Sequence, residues 1–172
     1  MATHFEIAMM SLNAGKHVLC EKPLAINEKQ SRKIFETAKE KNLFFMVGIW
    51  SRFFESYKFV QQRIDDGALG EIKEIDLEFG FPLANTERLF LKSGGGSVLD
   101  LGIYPIQIAL WIFRAEPTKV IAFGRNNDDG LDLEYNGEIH FPNGVAKFKV
   151  SCLNALTNNA KIKGTEGEIV VN

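Results

Sequence analysis

Residues 14–25, AGKHVLCEKPLA, decide the fold of this chain. A short apolar run within them, Val18-Leu19-Cys20, is bounded by a glycine and a proline. Its length, its flanking breakers and its β-branched valine predict a short buried strand rather than a helix. Glu21 and Lys22 follow it directly. Because ligands of parallel α/β sheets bind where strands end, we expect these two side chains to belong to a binding site.

Helical patterns flank this strand on both sides. Apolar side chains recur at helical spacing in residues 3–14, where Thr3 and Glu6 have the spacing of a capping box. Residues 28–41 predict a second helix, which Asn27 should cap. We expect that helix to bury three side chains, those of Ile34, Phe35 and Ala38.

The pattern changes halfway along the chain. Residues 43–47 are apolar throughout, which is typical of a strand buried on both faces. Helix, strand, helix, strand is the order of a doubly wound parallel sheet. The chain then predicts one helix over residues 54–64, followed mostly by strands, at about 72–79, 118–124, 133–141, 144–151, 159–163 and 168–171. We therefore predict an α/β fold: a parallel sheet, a boundary near residue 49, and an α+β domain with a large, open, mainly antiparallel sheet.

A second motif, GGSVLDLGIYPIQ, occupies residues 95–107. Ser97 and Asp100 repeat the capping-box spacing, so a helix should begin at Ser97. Asp100, Tyr104 and Gln107 then share one face of an otherwise apolar helix, where polar groups need partners or a ligand. A proline follows the tyrosine and removes one main-chain hydrogen bond, so we expect a kink.

Composition narrows the functional classes. The net charge is −2 with no basic cluster, which argues against nucleic acid or a membrane as the main partner. The longest apolar run, residues 43–50, is too short to cross a bilayer, and the N-terminus lacks a signal-peptide pattern. Cys20 and Cys152 have no metal or redox spacing, and no cluster of ligand residues indicates a metal. We expect a cytoplasmic protein without a metal.

A lysine and a tyrosine can assist the oxidation of an alcohol by a nicotinamide. The alcohol loses a hydride to the nicotinamide and a proton to a base. Tyrosine has an unperturbed pKa of about 10, and an ammonium within roughly 4–6 Å favours its phenolate form. Lys22 at a strand end and Tyr104 on a helix could form such a pair.

Both motifs carry a resemblance to a known family. AGKHVLCEKPLA and, some eighty residues later, GGGSVLDLGIYPIQ resemble the Gfo/Idh/MocA family of nicotinamide-dependent oxidoreductases. Residues 49–54 and 120–125 are similar to the subgroup that oxidises dihydrodiols and aldopentoses. Tyr104 supports that subgroup, since many other members carry histidine there. The resemblance covers essentially the whole chain.

The resemblance implies roles for individual residues. Tyr104 is expected to be the proton donor and acceptor, and Lys22 to tune it and to hold cofactor ribose and substrate hydroxyl. The other implied cofactor-binding residues are Thr3, His4, Glu21, Pro23 and Arg52, and the other implied substrate-binding residues are Trp50, Phe79 and Asp100. The implied cofactor is NADP, with NAD possible, and the implied partners are a small diol or sugar and a second copy joined through the open sheet.

Several of these residues have ordinary structural alternatives. A lysine before a proline is often a solvated loop residue, and a lone tyrosine is often a satisfied core residue. Asp100 fits a helix cap as well as a site residue. Trp50 and Phe79 fit a core as well as a pocket wall.

The family pattern also includes segments that this sequence does not contain. Members begin with a strand, a glycine-rich phosphate-binding turn and a helix, but no G-x-G-x-x-G occurs here. We therefore expect residues 1–48 to be the C-terminal half of a Rossmann-type domain, and residues 49–172 an incomplete substrate and dimerisation domain. The alternative to an active dehydrogenase is a non-catalytic fragment that keeps the fold core and the dimerising sheet.

Overall fold

Two helix–strand pairs build the first part of the chain. The computed structural model describes residues 3–83, 86–91 and 95–172. The first elements are α1 (His4–Asn13), β1 (Val18–Glu21), α2 (Glu28–Glu40) and β2 (Phe45–Gly48). β1 and β2 form a two-stranded parallel sheet in which Glu21 pairs with Gly48 at the carboxyl ends. The predicted order of elements is confirmed, and Glu21 and Lys22 lie where a ligand of such a sheet is expected.

Local signals at the helix ends were partly correct. The Asn27 side chain accepts a hydrogen bond from Gln30 N at 2.9 Å and caps α2, as predicted. Gly15 adopts φ +72° just beyond α1, a conformation that suits glycine. The capping box at Thr3 was wrong, because the Thr3 side chain makes no capping hydrogen bond.

The core of residues 3–48 is small. Four buried side chains form it, those of Ala8, Leu12, Ile34 and Ala38. The prediction for Phe35 was wrong: its side chain is 49 % exposed, and its ring meets Phe45 edge-on with 5.3 Å between centroids. β2 is half-buried along its length rather than buried on both faces.

The second part of the chain is organised around a six-stranded sheet. After a 3₁₀ helix (Trp50–Phe53), its elements are α3 (Glu55–Asp65), β3 (Ile72–Gly80), a second 3₁₀ helix (Glu87–Phe90), a π-helical segment (Val98–Gly102), α4 (Ile103–Phe113), β4 (Lys119–Asn126), β5 (Asp132–Phe141), β6 (Gly144–Ser151), β7 (Ala160–Gly164) and β8 (Glu168–Val171). The strand order is β4-β5-β6-β3-β7-β8. β3 pairs parallel with β6, and the other neighbours are antiparallel, so the large, open, mainly antiparallel sheet is confirmed.

Helices cover one face of this sheet. Thirteen buried side chains, contributed by α3, α4 and the strands, form a continuous core that includes Ile75, Leu77, Ala109 and Ile162. Alternate residues of the same strands point away from the helices and are charged, among them Glu74 and Asp76 on β3. The sheet is therefore apolar towards the helices and charged on its other face.

The helical segment that carries the second motif begins at Ser97 as predicted, but the predicted capping contact is wrong. Ser97 does not cap with Asp100; its hydroxyl donates to Asp132 Oδ2 at 2.8 Å, and Val98 N donates to the same oxygen at 2.6 Å. Gly96 has φ +106°, and a Cβ there would collide with the Asp132 carboxylate. The start of this helical segment is therefore held by Asp132 of β5, which lies thirty-five residues after Ser97 in the chain. Gly94, the first glycine of the motif, lies outside the described residues.

A π-helical segment takes the place of a simple proline kink. Val98–Gly102 form a wide turn, and α4 begins at Ile103, two residues before Pro105. Proline lacks the N–H that a regular helix would donate to Leu101 O, so the wide turn lies where the regular ladder would break. Asp100 lies within this turn and Tyr104 in the first turn of α4.

Candidate active site

Lys22 and Asp100 join the two parts of the chain. The Lys22 ammonium donates to the main-chain oxygen of Asp100 at 2.7 Å and to its Oδ1 at 3.0 Å. The Lys22 side chain is 15 % exposed and that of Asp100 5 %. An ammonium has three N–H groups, so these two contacts leave one for a ligand. Lys22 is therefore not a solvated loop residue, and Asp100 is its hydrogen-bond partner rather than a helix cap.

Tyr104 lies at the centre of the predicted site. It is 8 % exposed, and the Lys22 nitrogen lies 5.1 Å from the centroid of its ring. Trp50 Nε1 donates a hydrogen bond to the Tyr104 hydroxyl oxygen at 2.8 Å. The Phe79 ring lies 4.7 Å from the Tyr104 ring, centroid to centroid. The structure thus brings together four of the predicted residues, from the loop after β1, the first 3₁₀ helix, β3 and α4.

Arg52 binds the same helix one turn further on. Its Nε donates to Gln107 Oε1 at 2.7 Å, and Nη2 donates to the main-chain oxygen of Gln107 at 3.1 Å. Burial lowers the pKa of the Arg52 guanidinium, which still remains charged at neutral pH. Gln107 Nε2 in turn donates to the Tyr57 hydroxyl at 3.4 Å, and burial raises the pKa of Tyr57. Arg52, predicted to lie near the cofactor, is held by α4.

Tyr104 lines a cavity of about 200 Å³. Its other lining residues include the apolar Trp50, Phe54, Phe79, Pro105 and Ile108 and the polar Ser56, Glu78, Asn158 and Asn159. The Thr157 hydroxyl donates to Glu78 Oε2 at 2.8 Å and lowers the pKa of Glu78, so this carboxyl is charged at neutral pH. The cavity can hold a compact molecule with one apolar face and one hydroxyl-bearing face.

The remaining predicted residues lie around the loop after β1. His4 Nδ1 lies 2.7 Å from Pro23 O, and since a carbonyl only accepts, Nδ1 is the donor. Glu21 Oε2 accepts from Lys22 N at 3.2 Å. Thr3 is exposed at the start of α1, and its main-chain oxygen accepts from Ile7 N. His4, Glu21 and Pro23 are thus grouped at the strand end, whereas Thr3 is at the edge of the group.

Sequence reasoning missed several residues of this site. Gln107 was recognised as polar but not as the partner of Arg52. Glu78, Asn158 and Asn159 line the cavity although they belong to neither motif. A charged residue that alternates with apolar ones in a strand is a normal surface residue, so no local signal marked Glu78.

Other kinds of site find no support in the described part of the chain. Among residues 3–83, 86–91 and 95–172, no group of three or more histidine, cysteine or acidic residues could hold a metal ion. Within those same ranges, no helix is long and apolar enough to cross a membrane.

The fold and the site identify the family. Residues 1–49 match the oxidoreductase family with an NAD-binding Rossmann fold, and residues 57–170 match the GFO/IDH/MocA C-terminal domain. The chain therefore belongs to the Gfo/Idh/MocA family of oxidoreductases, as its two motifs indicated.

Relatives in this family have known names. The chain is 37 % identical to trans-1,2-dihydrobenzene-1,2-diol dehydrogenase of Xenopus laevis, over 98 % of this chain and 52 % of that protein. It is 36 % identical to the protein of the same name from Mus musculus, over 95 % of this chain and 50 % of that protein. The chain spans about half the length of the curated relatives it matches.

Solved structures share the fold. An aldose-aldose oxidoreductase from Caulobacter crescentus superposes with a TM-score of 0.91 at 25 % identity, over 98 % of this chain and 53 % of that chain. A 3-ketoreductase from Actinomadura kijaniata, in complex with NADP and TDP-benzene, superposes with a TM-score of 0.89 at 28 % identity, over 98 % and 53 % of the two chains. Both are oxidoreductases, in agreement with the family.

Proposed function

We propose that this chain carries the catalytic centre of an NADP-dependent dehydrogenase that acts on a trans-dihydrodiol or on an aldopentose such as xylose. The observation that carries the proposal is the cluster of Lys22, Asp100 and Tyr104 beside a cavity. It places a charged ammonium, a phenol and space for a small substrate together. Family membership supports the reaction class, and the names of the relatives support the diol.

Tyr104 moves the proton in this proposal, and Lys22 assists it. The buried Asp100 carboxylate holds the ammonium in place through two hydrogen bonds. The third N–H of Lys22 is then available to a hydroxyl of the substrate or of the cofactor ribose. Because Lys22 is almost buried, its charge acts on the tyrosine through a poorly screening medium.

The residues after β1 fit the nicotinamide end of a dinucleotide. His4, Glu21, Lys22 and Pro23 present hydrogen-bonding groups where parallel strands end, which is where such ligands bind. The nicotinamide, when bound, would supply the hydride acceptor. The NADP held by the 3-ketoreductase favours NADP over NAD. Thr3 and Arg52 remain proposed contacts of this cofactor.

The cavity lining agrees with a diol or sugar. Trp50 and Phe79 offer apolar surface to a ring, while Ser56 and Asn159 offer partners to hydroxyl groups. We also propose that the boundary between the cofactor and substrate domains lies near residue 49, and that two copies pair through the charged face of the six-stranded sheet, leaving the cavity on the opposite face.

Turnover by the purified chain tests the proposal. NADP reduction is followed by absorbance with a trans-dihydrodiol and with xylose, and NADPH binding is followed by its fluorescence. Tyr104→Phe should lower kcat by about 10²- to 10⁴-fold, the usual contribution of a positioned proton donor, while NADPH still binds. Tyr135→Phe, a change on the distant strand β5, is the matched control and should keep the wild-type rate.

Two outcomes would contradict the proposal. Equal rates for Tyr104→Phe and the unmodified chain would remove the tyrosine from the reaction. A folded chain that neither shifts NADPH fluorescence nor reduces NADP would favour the non-catalytic alternative.

A further inference from the structure

We infer that Trp50 is a positioning residue that orients the Tyr104 hydroxyl, and not only a wall of the cavity. Its indole N–H holds one side of the tyrosine oxygen, so that the hydroxyl proton of Tyr104 points into the cavity. This inference rests on the proposed function, because it assigns the direction of the proton transfer that Tyr104 performs.

The argument begins with the direction of one hydrogen bond. An indole nitrogen can only donate, so the 2.8 Å contact makes the Tyr104 oxygen the acceptor. A phenol has a single proton, which cannot point at the indole N–H. Within residues 3–83, 86–91 and 95–172, no acceptor is recorded for that proton. The cavity beside Tyr104 is where an oxygen of a bound molecule can accept it.

Neighbouring contacts hold the indole in this position. The Trp50 ring meets Phe54 edge-on with 5.0 Å between centroids and meets the Tyr104 ring at 5.8 Å. Two residues further along the chain, Arg52 donates two hydrogen bonds to Gln107. The short 3₁₀ helix that carries Trp50 is thereby fixed to α4, which carries Tyr104.

The contact also serves the tyrosine after the proton has left. In the reducing direction of the proposed reaction, the oxygen of a substrate carbonyl takes the proton, the O–H bond of Tyr104 breaks, and its electron pair stays on the phenol oxygen. That oxygen already accepts the Trp50 N–H, and the hydrogen bond becomes charge-assisted and stronger. An interaction that strengthens as charge develops favours the reaction itself rather than the binding of substrate. Trp50 should therefore act on kcat.

Indole N–H signals in a nitrogen-15 proton spectrum of the whole chain test the contact without cofactor or substrate. The chain has two tryptophans, and Trp111→Phe assigns the signal of Trp50 by elimination. Tyr104→Phe should shift the Trp50 signal upfield and speed its exchange with solvent deuterium. Phe79→Leu is the control: Phe79 touches the Tyr104 ring but makes no hydrogen bond to its hydroxyl, so the signal should stay where it is. An unchanged signal in Tyr104→Phe would overturn the inference.

The kinetics of Trp50→Phe distinguish a residue that orients the Tyr104 hydroxyl from one that only lines the cavity. The phenylalanine keeps an apolar surface and removes the donor, so kcat for carbonyl reduction, followed by NADPH consumption, should fall by roughly ten- to a hundredfold with little change in KM. A change in KM alone would overturn the inference and leave Trp50 as a wall. If the unmodified chain turns over no substrate, the proposed function fails, and the indole signal alone decides whether Trp50 orients Tyr104.

Discussion

The two parts of this chain differ in how firmly they are built, and the candidate site joins them. Residues 3–48 rest on four buried side chains and a two-stranded sheet, and they expose large apolar residues such as Leu19 and Phe44. The six-stranded part rests on a cluster of thirteen buried side chains and on a second cluster of four. Since burial of apolar area is the main stabilising contribution, the second part should be much the more stable.

This difference matters for the site because the two key residues come from different parts. Lys22 belongs to the weaker part and Tyr104 to the stronger one. The hydrogen bonds from Lys22 to Asp100 are the polar contact that connects them. The tyrosine, its tryptophan and the cavity should therefore persist when the lysine-bearing part opens.

Core truncations in the two parts should have the largest effects and should separate them. Leu12→Ala and Ile75→Ala each remove a fully buried side chain and should cost about 2–5 kcal/mol. Hydrogen exchange should show lost protection in residues 4–48 alone for Leu12→Ala, but throughout the chain for Ile75→Ala. Equal loss of protection in β3 and β7 for both variants would mean that the two parts unfold as one unit.

Removal of Lys22, which connects the two parts, should have the next largest effect on stability. Lys22→Met leaves the Asp100 carboxylate buried without its ammonium partner, which should lower the free energy of unfolding by about 3 kcal/mol. Denaturant unfolding followed by tryptophan fluorescence measures this change. The exposed Lys16 provides the control, since Lys16→Met should stay within about 0.5 kcal/mol of the unmodified chain. Equal stability of the two variants would show that the contact contributes nothing.

Loss of the helix cap should have a smaller effect, confined to the stronger part. Asp132→Ala removes the acceptor of the Ser97 hydroxyl and of Val98 N, and should cost about 1–2 kcal/mol. Asp128→Ala, on the nearby loop between β4 and β5, is the matched control. A thermal melt of each variant makes the comparison, and identical melting temperatures would contradict the capping role.

The charged face of the sheet should contribute least to stability, and its contribution should depend on pH. Hydrogen bonds from Lys147 and Lys163 lower the pKa of Glu74. A carboxyl with a lowered folded pKa stabilises the fold above its ordinary pKa of about 4.3, and this contribution disappears as the pH falls through the folded value. Glu74→Gln should be less stable at pH 7 by about 1 kcal/mol or less, because the groups are largely exposed.

Two measurements check this last prediction. The difference in stability between Glu74→Gln and the unmodified chain should shrink as the pH falls below about 4, and it should also shrink in 1 M salt. A difference that is independent of both pH and salt would mean that Glu74 acts through packing rather than through charge.

Much of the fold could be predicted because its signals are local. The Asn27 cap, the strands β3 to β8 and the order of elements before residue 49 follow from apolar spacing and turn residues. The errors lie where distant parts decide the outcome. Phe35 has the spacing of a core residue, but its contact with the Phe45 ring leaves it 49 % exposed. Ser97 has the spacing of a cap, but Asp132 arrives from another strand and takes its hydroxyl.

The residues of the site could likewise be predicted, but their contacts with one another could not. The resemblance to a family indicated Lys22, Asp100, Tyr104, Trp50 and Phe79, and the structure places all five together. It did not indicate how they bind one another. Asp100 engages Lys22 through its main-chain oxygen as well as its carboxylate, which depends on how two distant parts of the chain pack. No spacing in the sequence encodes the direction of the Trp50 hydrogen bond either.

The most direct test of the central claim is a double-mutant cycle on kcat/KM with Lys22→Met and Tyr104→Phe in the purified chain. If the two residues form one proton-transfer site, each single change removes most of the activity and the double variant is barely slower than the slower single one. If the effects of the two changes multiply, Lys22 and Tyr104 act independently, and the joint site that this structure indicates is contradicted.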